Sequence, residues 1–166
     1  MPLLIPWKVV IAAGLATGGA ATALTADPSA LHLPAHHRAA PLSATCARLP
    51  AGIRAQESGG DYRVVNHGSG ALGAYQVMPG NVGPWSRDVL GYPVTTARFL
   101  ASSGVQDRVA KAKLAQLCRQ FGPRGAAAAW FSGRPELAND TVPRGGGAAS
   151  VMAYVDSVMA HIRAGH

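Results

Sequence analysis

The sequence predicts a mainly α, single helical domain with room for one small β-hairpin. Three observations predict it. Apolar residues recur at three- and four-residue intervals over long stretches: Ala110, Leu114, Leu117, Cys118 and Phe121 in one, Val151, Val155, Val158 and Ile162 in another. Period-2 alternation is nearly absent. Gly59-Gly60, Pro79-Gly80 and Gly122-Pro123 punctuate the chain where helices would stop.

The elements follow in order. Residues 1–26 read as a secretory signal peptide. Lys8 supplies the positive start, Val9 to Leu15 the apolar run, and Ala21-Thr22-Ala23 or Leu24-Thr25-Ala26 the small-residue cleavage site. Gly14, Thr17, Gly18 and Gly19 interrupt the run. It falls short of the roughly 20 apolar residues that span a bilayer, so cleavage is expected over a retained anchor, with no stable membrane insertion afterwards. Residues 27–43 are a Pro/Ala/His-rich linker. His32 and His36 have the spacing of a metal pair, with His37 beside them. Pro34 lies between and no partner ligands are near, so no metal is expected.

Residues 44–166 form the globular domain. A first helix is expected from Ser43 to Gln56. A polar loop over Asp61 to Ser69 would hold the hairpin, and Gly70 to Gly73 a tight turn. A helix is expected to begin near Ala74 and to end at Pro79-Gly80. Further helices run from Thr95 to Ser102 and from Val105 to Phe121, the latter ended by Gly122-Pro123. A short alanine-rich helix spans Gly125 to Phe131, a loop Pro135 to Gly147, and a last helix Ala148 to Arg163.

The formal net charge is +7 over 166 residues, and only Glu57 and Glu136 are glutamates. Such a charge on an exported protein suits a polyanionic wall polymer or a phospholipid surface. The basic residues are scattered, with no stripe interleaved with aromatics, so nucleic acid is not expected. Cys46 and Cys118 are the only cysteines. They would stay thiols in a reducing compartment; export favours one disulfide between them.

Cys46, Leu49, Ile53 and Glu57 share one helical face. Three are apolar and the fourth is an acid in the last turn before Ser58-Gly59-Gly60. Partial burial and the negative carbonyl end of a helix both disfavour a charged carboxylate. An acid kept protonated is what general-acid catalysis needs. A lone glutamate near a helix end is ordinarily a solvated residue, so the motifs that follow it decide the matter.

Those motifs are Glu57-Ser58-Gly59-Gly60, then Gly70-Ala71-Leu72-Gly73-Ala74-Tyr75-Gln76-Val77-Met78-Pro79, then Ala128-Ala129-Trp130-Phe131-Ser132-Gly133, then Tyr154. In this order they resemble the soluble lytic transglycosylase family over about Ala44 to Ile162. The resemblance implies a lysozyme-like fold, mainly α within the α+β class and most similar to goose-type lysozyme, with any hairpin beside the active-site cleft. It implies peptidoglycan glycan strands as substrate. It implies cleavage of the β-1,4 bond between N-acetylmuramic acid and N-acetylglucosamine, leaving a 1,6-anhydro-muramyl product. Glu57 matches the catalytic acid and Ser58 the serine beside it. Tyr75-Gln76 matches a Met-Gln pair, with Gln76 lining the sugar groove. Trp130-Phe131-Ser132-Gly133 stands where the family has Tyr-Asn-Ala-Gly. Tyr154 matches a late tyrosine that contacts the acid. Two departures are Tyr75 for methionine and Phe131 for asparagine. Of Trp130 and Phe131, one is expected to pack inward and one to edge the groove.

The bottom-up chemistry is consistent with this reading. A glycosidase with two carboxylates sets them about 5 to 9 Å apart. The other candidates here are Asp61, Asp88, Asp107, Glu136, Asp140 and Asp156. Asp61 is four residues past Glu57, in a loop beyond the helix end, and reads as a solvated turn residue. One carboxylate suffices if the sugar's own hydroxyl closes a ring. The expectation is an exported enzyme, periplasmic or secreted, monomeric and without cofactor, acting on the wall for a secretion or conjugation machine. Its rivals are a hydrolysing lysozyme of the same fold and a non-catalytic peptidoglycan-binding or assembly protein.

Overall fold

The computed structural model describes residues 41–144 and 149–165. The expected signal segment and residues 27–40 of the linker lie outside them. The described fold is mainly helical.

Helix α1 spans Ala44–Ser58. Ser43 starts it, its Oγ accepting from Cys46 N at 3.2 Å, which satisfies one orphan donor of the first turn. Cys46, Leu49 and Ile53 are buried on one face. Removing side chains such as Leu49 and Ile53 from water is worth about 1.5–3 kcal/mol each. Gly59 closes the helix in the left-handed region (φ 63). Gly52 lets α1 approach the last helix: a Cβ there would stand 2.7 Å from Ile162 Cγ1 and 3.0 Å from the Val158 carbonyl.

Between Val64 and Met78 the structure corrects the sequence expectation. No helix starts at Ala74. Asn66 N donates to Ala71 O, Gly73 N to Val64 O, and Leu72 and Val77 exchange both backbone bonds at 2.9 and 3.0 Å. The small hairpin is therefore a pair of isolated antiparallel bridges, Val65 with Leu72 and Leu72 with Val77. Pro79 does not end a helix; it opens α2 (Pro79–Leu90). The reason is chemical: the first helical position needs no N–H and suits proline's fixed φ. Leu72, Ala74, Tyr75 and Val77 are all buried without helical backbone.

Helix α3 (Thr96–Leu100) and helix α4 (Ser103–Ser132) follow, capped by the Thr95 and Ser102 hydroxyls. Gly122 (φ 67, ψ 176) breaks α4 into two arms, where the sequence placed a stop. In the second arm Ala126, Ala127, Ala128 and Ala129 are all buried, so small side chains let this arm sit deep in the core. The expected loop after it contains a 3-10 turn, Pro135–Asn139. Helix α5 (Val151–Ala164) starts at its Ser150 cap rather than at Ala148, which lies outside the described residues. It packs Val151, Val155, Val158 and Ile162 inward. Cys46 of α1 and Cys118 of α4 form a disulfide across 72 residues, with Cα atoms 6.0 Å apart.

Candidate active site

Glu57 lies one helical turn beyond buried Ile53, in the last turn of α1, and is half-buried. The Gly52 crossing brings α5 alongside. Tyr154 Oη donates to Glu57 Oε1 at 2.7 Å across 97 residues of sequence. Tyr154 is only 5% exposed. Its burial, then the negative Glu57 and the hydrogen bond to it, push the phenol well above its ordinary range. The hydroxyl therefore stays a donor through neutral and mildly alkaline pH.

Phe131, in the last turn of α4, stacks on the Tyr154 ring with centroids 4.3 Å apart and planes 12° from parallel. Such a pair is worth about 0.5–1.5 kcal/mol beyond its buried area. Phe131 is half-buried. Its neighbour Trp130 points inward, donating Nε1 to Tyr75 O at 3.2 Å and packing on Trp85 at 5.4 Å.

Ser58 acts through backbone contacts. Its Oγ donates to Ala74 O at 2.9 Å and accepts from Gly60 N at 3.1 Å. It thus ties the end of α1 to the 70–78 loop. Within that loop Gln76 is buried and donates Nε2 to Gly73 O at 3.0 Å. Its φ of 49 makes it the one non-glycine residue with positive φ among those described. Held left-handed backbone of this kind collects at functional sites.

Tyr75 points to a different neighbourhood. It is 1% exposed, and its hydroxyl donates to Asp107 Oδ1 at 2.8 Å. Tyr62 Oη donates to the same oxygen at 2.8 Å, and Lys111 Nζ to Oδ2 at 2.9 Å. Burial opposes ionisation of Asp107, but these donors, Lys111 first, outweigh it and hold the carboxyl below its ordinary range. A cavity of about 490 Å³ opens on this side between α1 and α4, lined by Arg54, Tyr75 and Lys111 among others. Glu57 does not line it.

Sequence reasoning missed Gln106. It is fully buried. Its Oε1 accepts from Ala74 N at 2.9 Å, and its Nε2 donates to Tyr62 O, Phe99 O and Leu100 O at 3.0 to 3.3 Å. It holds the 61–78 segment against α3 and α4. Gly73 is required beside it, because a Cβ there would collide with the Gln106 amide and φ is +67. The signal was present: Gln106 stands four residues before Ala110 on the apolar face of α4, where a polar side chain needs partners.

The remaining carboxylates among the described residues are engaged elsewhere. Asp88 pairs with Lys113, Asp156 with Arg124, Glu136 with Arg134 and Asp140 with Arg144. Asp61 is exposed and caps its own turn at Arg63 N. No group of His, Cys, Asp and Glu side chains that could hold a metal occurs among the described residues. No described helix is long and apolar enough to cross a membrane.

No protein-family model matches the chain, and no curated protein matches it. A solved structure it is similar to is that of an inactive mutant of the lytic transglycosylase Slt from Pseudomonas aeruginosa, at 27% identity and a TM-score of 0.47. The similarity covers 66% of this chain and 18% of that one, so the chain spans under a fifth of its length.

Proposed function

We propose that this chain is an exported peptidoglycan lytic transglycosylase in which Glu57 is the single catalytic carboxylate. The observation that carries the reading is the 2.7 Å bond from buried Tyr154 to Glu57. It joins the first and last of the four motifs and places a steady neutral donor on the acid. Glu57 protonates the glycosidic oxygen, and the bond from that oxygen to the muramyl C1 breaks. The resulting carboxylate then takes the proton of the muramyl C6 hydroxyl as that oxygen attacks C1. The 1,6-anhydro ring closes and no water is consumed. Tyr154 holds the carboxyl in place through both steps by its bond to Oε1. An acid that must also serve as base works best at an intermediate pKa. The ion pairs that occupy Asp88, Asp107, Glu136, Asp140 and Asp156 support a one-carboxylate mechanism.

Gln76, in the loop that Ser58 ties to the helix end, is assigned to a sugar hydroxyl or acetamido group. The step takes place in the periplasm or outside the cell, on a polyanionic wall that the +7 charge favours. Mass analysis of fragments released from purified sacculi tests the reading. Anhydro-muropeptides are expected. Reducing-end products alone would make the reaction hydrolysis, and binding without release would make the protein non-catalytic.

A further inference from the structure

The residue at position 131 is where this chain departs most in chemistry from the motif it resembles, an aromatic ring in place of an amide. Its surroundings show what the ring does. Trp130 is locked by its Nε1 bond to Tyr75 O. Ser132 donates to Ala128 O at 2.7 Å and accepts from Arg134 N at 3.1 Å. Gly133 caps the helix, its N–H on Ala129 O at 2.8 Å. The backbone that carries Phe131 is thus held on both sides, and the ring is a rigid wall. Against that wall lies Tyr154, nearly parallel at 4.3 Å. Tyr154 sits on α5, where helix geometry leaves it few rotamers. Its remaining freedom is rotation and tilt of the ring, the motions that a stacked neighbour stops.

We infer that Phe131 is a positioning residue for Glu57 that acts through Tyr154: the stacked ring sets the plane of the phenol and so the point at which its hydroxyl meets Oε1. The inference rests on the proposed acid role of Glu57 and deepens it. Phe131 covers one face of the phenol and keeps water from competing for that hydrogen bond. The packing has taken over the orienting task that a polar side chain at this place could perform by hydrogen bonding.

The test is a double-mutant cycle on the full chain, with initial rates on a soluble glycan-strand substrate. Phe131→Leu, which keeps apolar bulk and loses the ring, should lower kcat about tenfold to a hundredfold with little change in KM. Phe131→Tyr, which keeps the ring, should recover most of that loss. In a Tyr154→Phe background Phe131→Leu should cost less than threefold, because the hydroxyl it positions is gone. Full additivity of the two losses, or a rise in KM at constant kcat, would make Phe131 a direct sugar platform and overturn the inference. A second readout does not depend on turnover. The Tyr154 hydroxyl proton should give a protected NMR resonance, absent in Tyr154→Phe, kept in Phe131→Tyr and lost to exchange in Phe131→Leu. If the wild type releases nothing from sacculi, the enzymatic reading fails while this resonance still decides the positioning. An unchanged resonance in Phe131→Leu overturns it.

Discussion

Glu57 and Asp107 both accept hydrogen bonds from tyrosine hydroxyls at 2.7 to 2.8 Å, yet the fold uses them differently. Asp107 lies in the first arm of α4 and gathers Tyr62, Tyr75 and an ammonium, Lys111. Its charge is fixed below the ordinary carboxylate range, so it cannot supply a proton near neutrality. Glu57 stands at a helix end with a neutral phenol on one oxygen. A carboxylate tied by a cation and two phenols fastens elements together. Glu57 accepts from a phenol at the end of a helix, on a side chain that reaches across from α5. On the proposed reading, Asp107 serves the scaffold and Glu57 the chemistry.

The comparison breaks most sharply with Glu57→Gln. Its shape is kept and its proton transfer lost, so cleavage of sacculi should fall ~100- to 10,000-fold. Thermal melting should stay the same or rise, since an unfavourably placed carboxyl has gone. Wild-type cleavage by this variant would remove Glu57 from the mechanism.

Next in size is the disulfide that pins α1 to α4. The double change Cys46→Ser with Cys118→Ser should lower stability by ~4 kcal/mol in the chain-entropy description of a 72-residue separation. Denaturant melts under non-reducing conditions measure it. A loss under about 1 kcal/mol would show that packing alone holds the Asp107 side. Non-reducing mass spectrometry of the native protein should find no alkylatable cysteine.

Asp107→Ala should cost about 2 kcal/mol, chiefly because the buried Tyr75 hydroxyl loses its acceptor. Activity per folded molecule should change less than tenfold, the converse of Glu57→Gln. Activity lost as completely as in Glu57→Gln, with stability intact, would make Asp107 the second carboxylate and erase the contrast.

The smallest effect is in pH. Tyr154 is raised in the folded state above the 10.0 of a free phenol. A raised group adds stability that is complete below the unfolded value and is lost as pH climbs through the folded one. Denaturant midpoints should hold from pH 7 to 9 and decline above about 10. The decline should be shallower in Tyr154→Phe, and shallower again with Tyr75→Phe, whose phenol is also raised by burial and by Asp107. Asp107 acts at the other end: its folded value is lowered, so its contribution is present above about pH 4 and fades as pH falls further. An acid limb equal in wild type and Asp107→Ala would show that the charge of Asp107 does not stabilise the fold.

Local chemistry alone determined a good part of this protein. The spacing of Cys46, Leu49, Ile53 and Glu57 was enough to put an acid on the buried side of α1, because a helix repeats every 3.6 residues whatever surrounds it. The stops at Gly59 and Gly122 came from glycine's tolerance of positive φ, and the disulfide was expected of a lone cysteine pair only given export. The late tyrosine was indicated by motif order; spacing on its own left it open whether Tyr154 is a core residue or a partner of the acid. Only the tertiary structure decided what crosses the chain. It turned 70–78 into bridges instead of a helix, with Leu72 and Val77 exchanging backbone bonds and Gln106 accepting from the Ala74 N–H. It sent Tyr75 to Asp107 and away from Glu57. It laid Phe131 on Tyr154, and Tyr154 on an acid 97 residues away. Periodicity reports which way a side chain faces from its own helix. Which partner it meets depends on how closely two helices approach, and here that distance is set by the missing Cβ of Gly52 against Ile162.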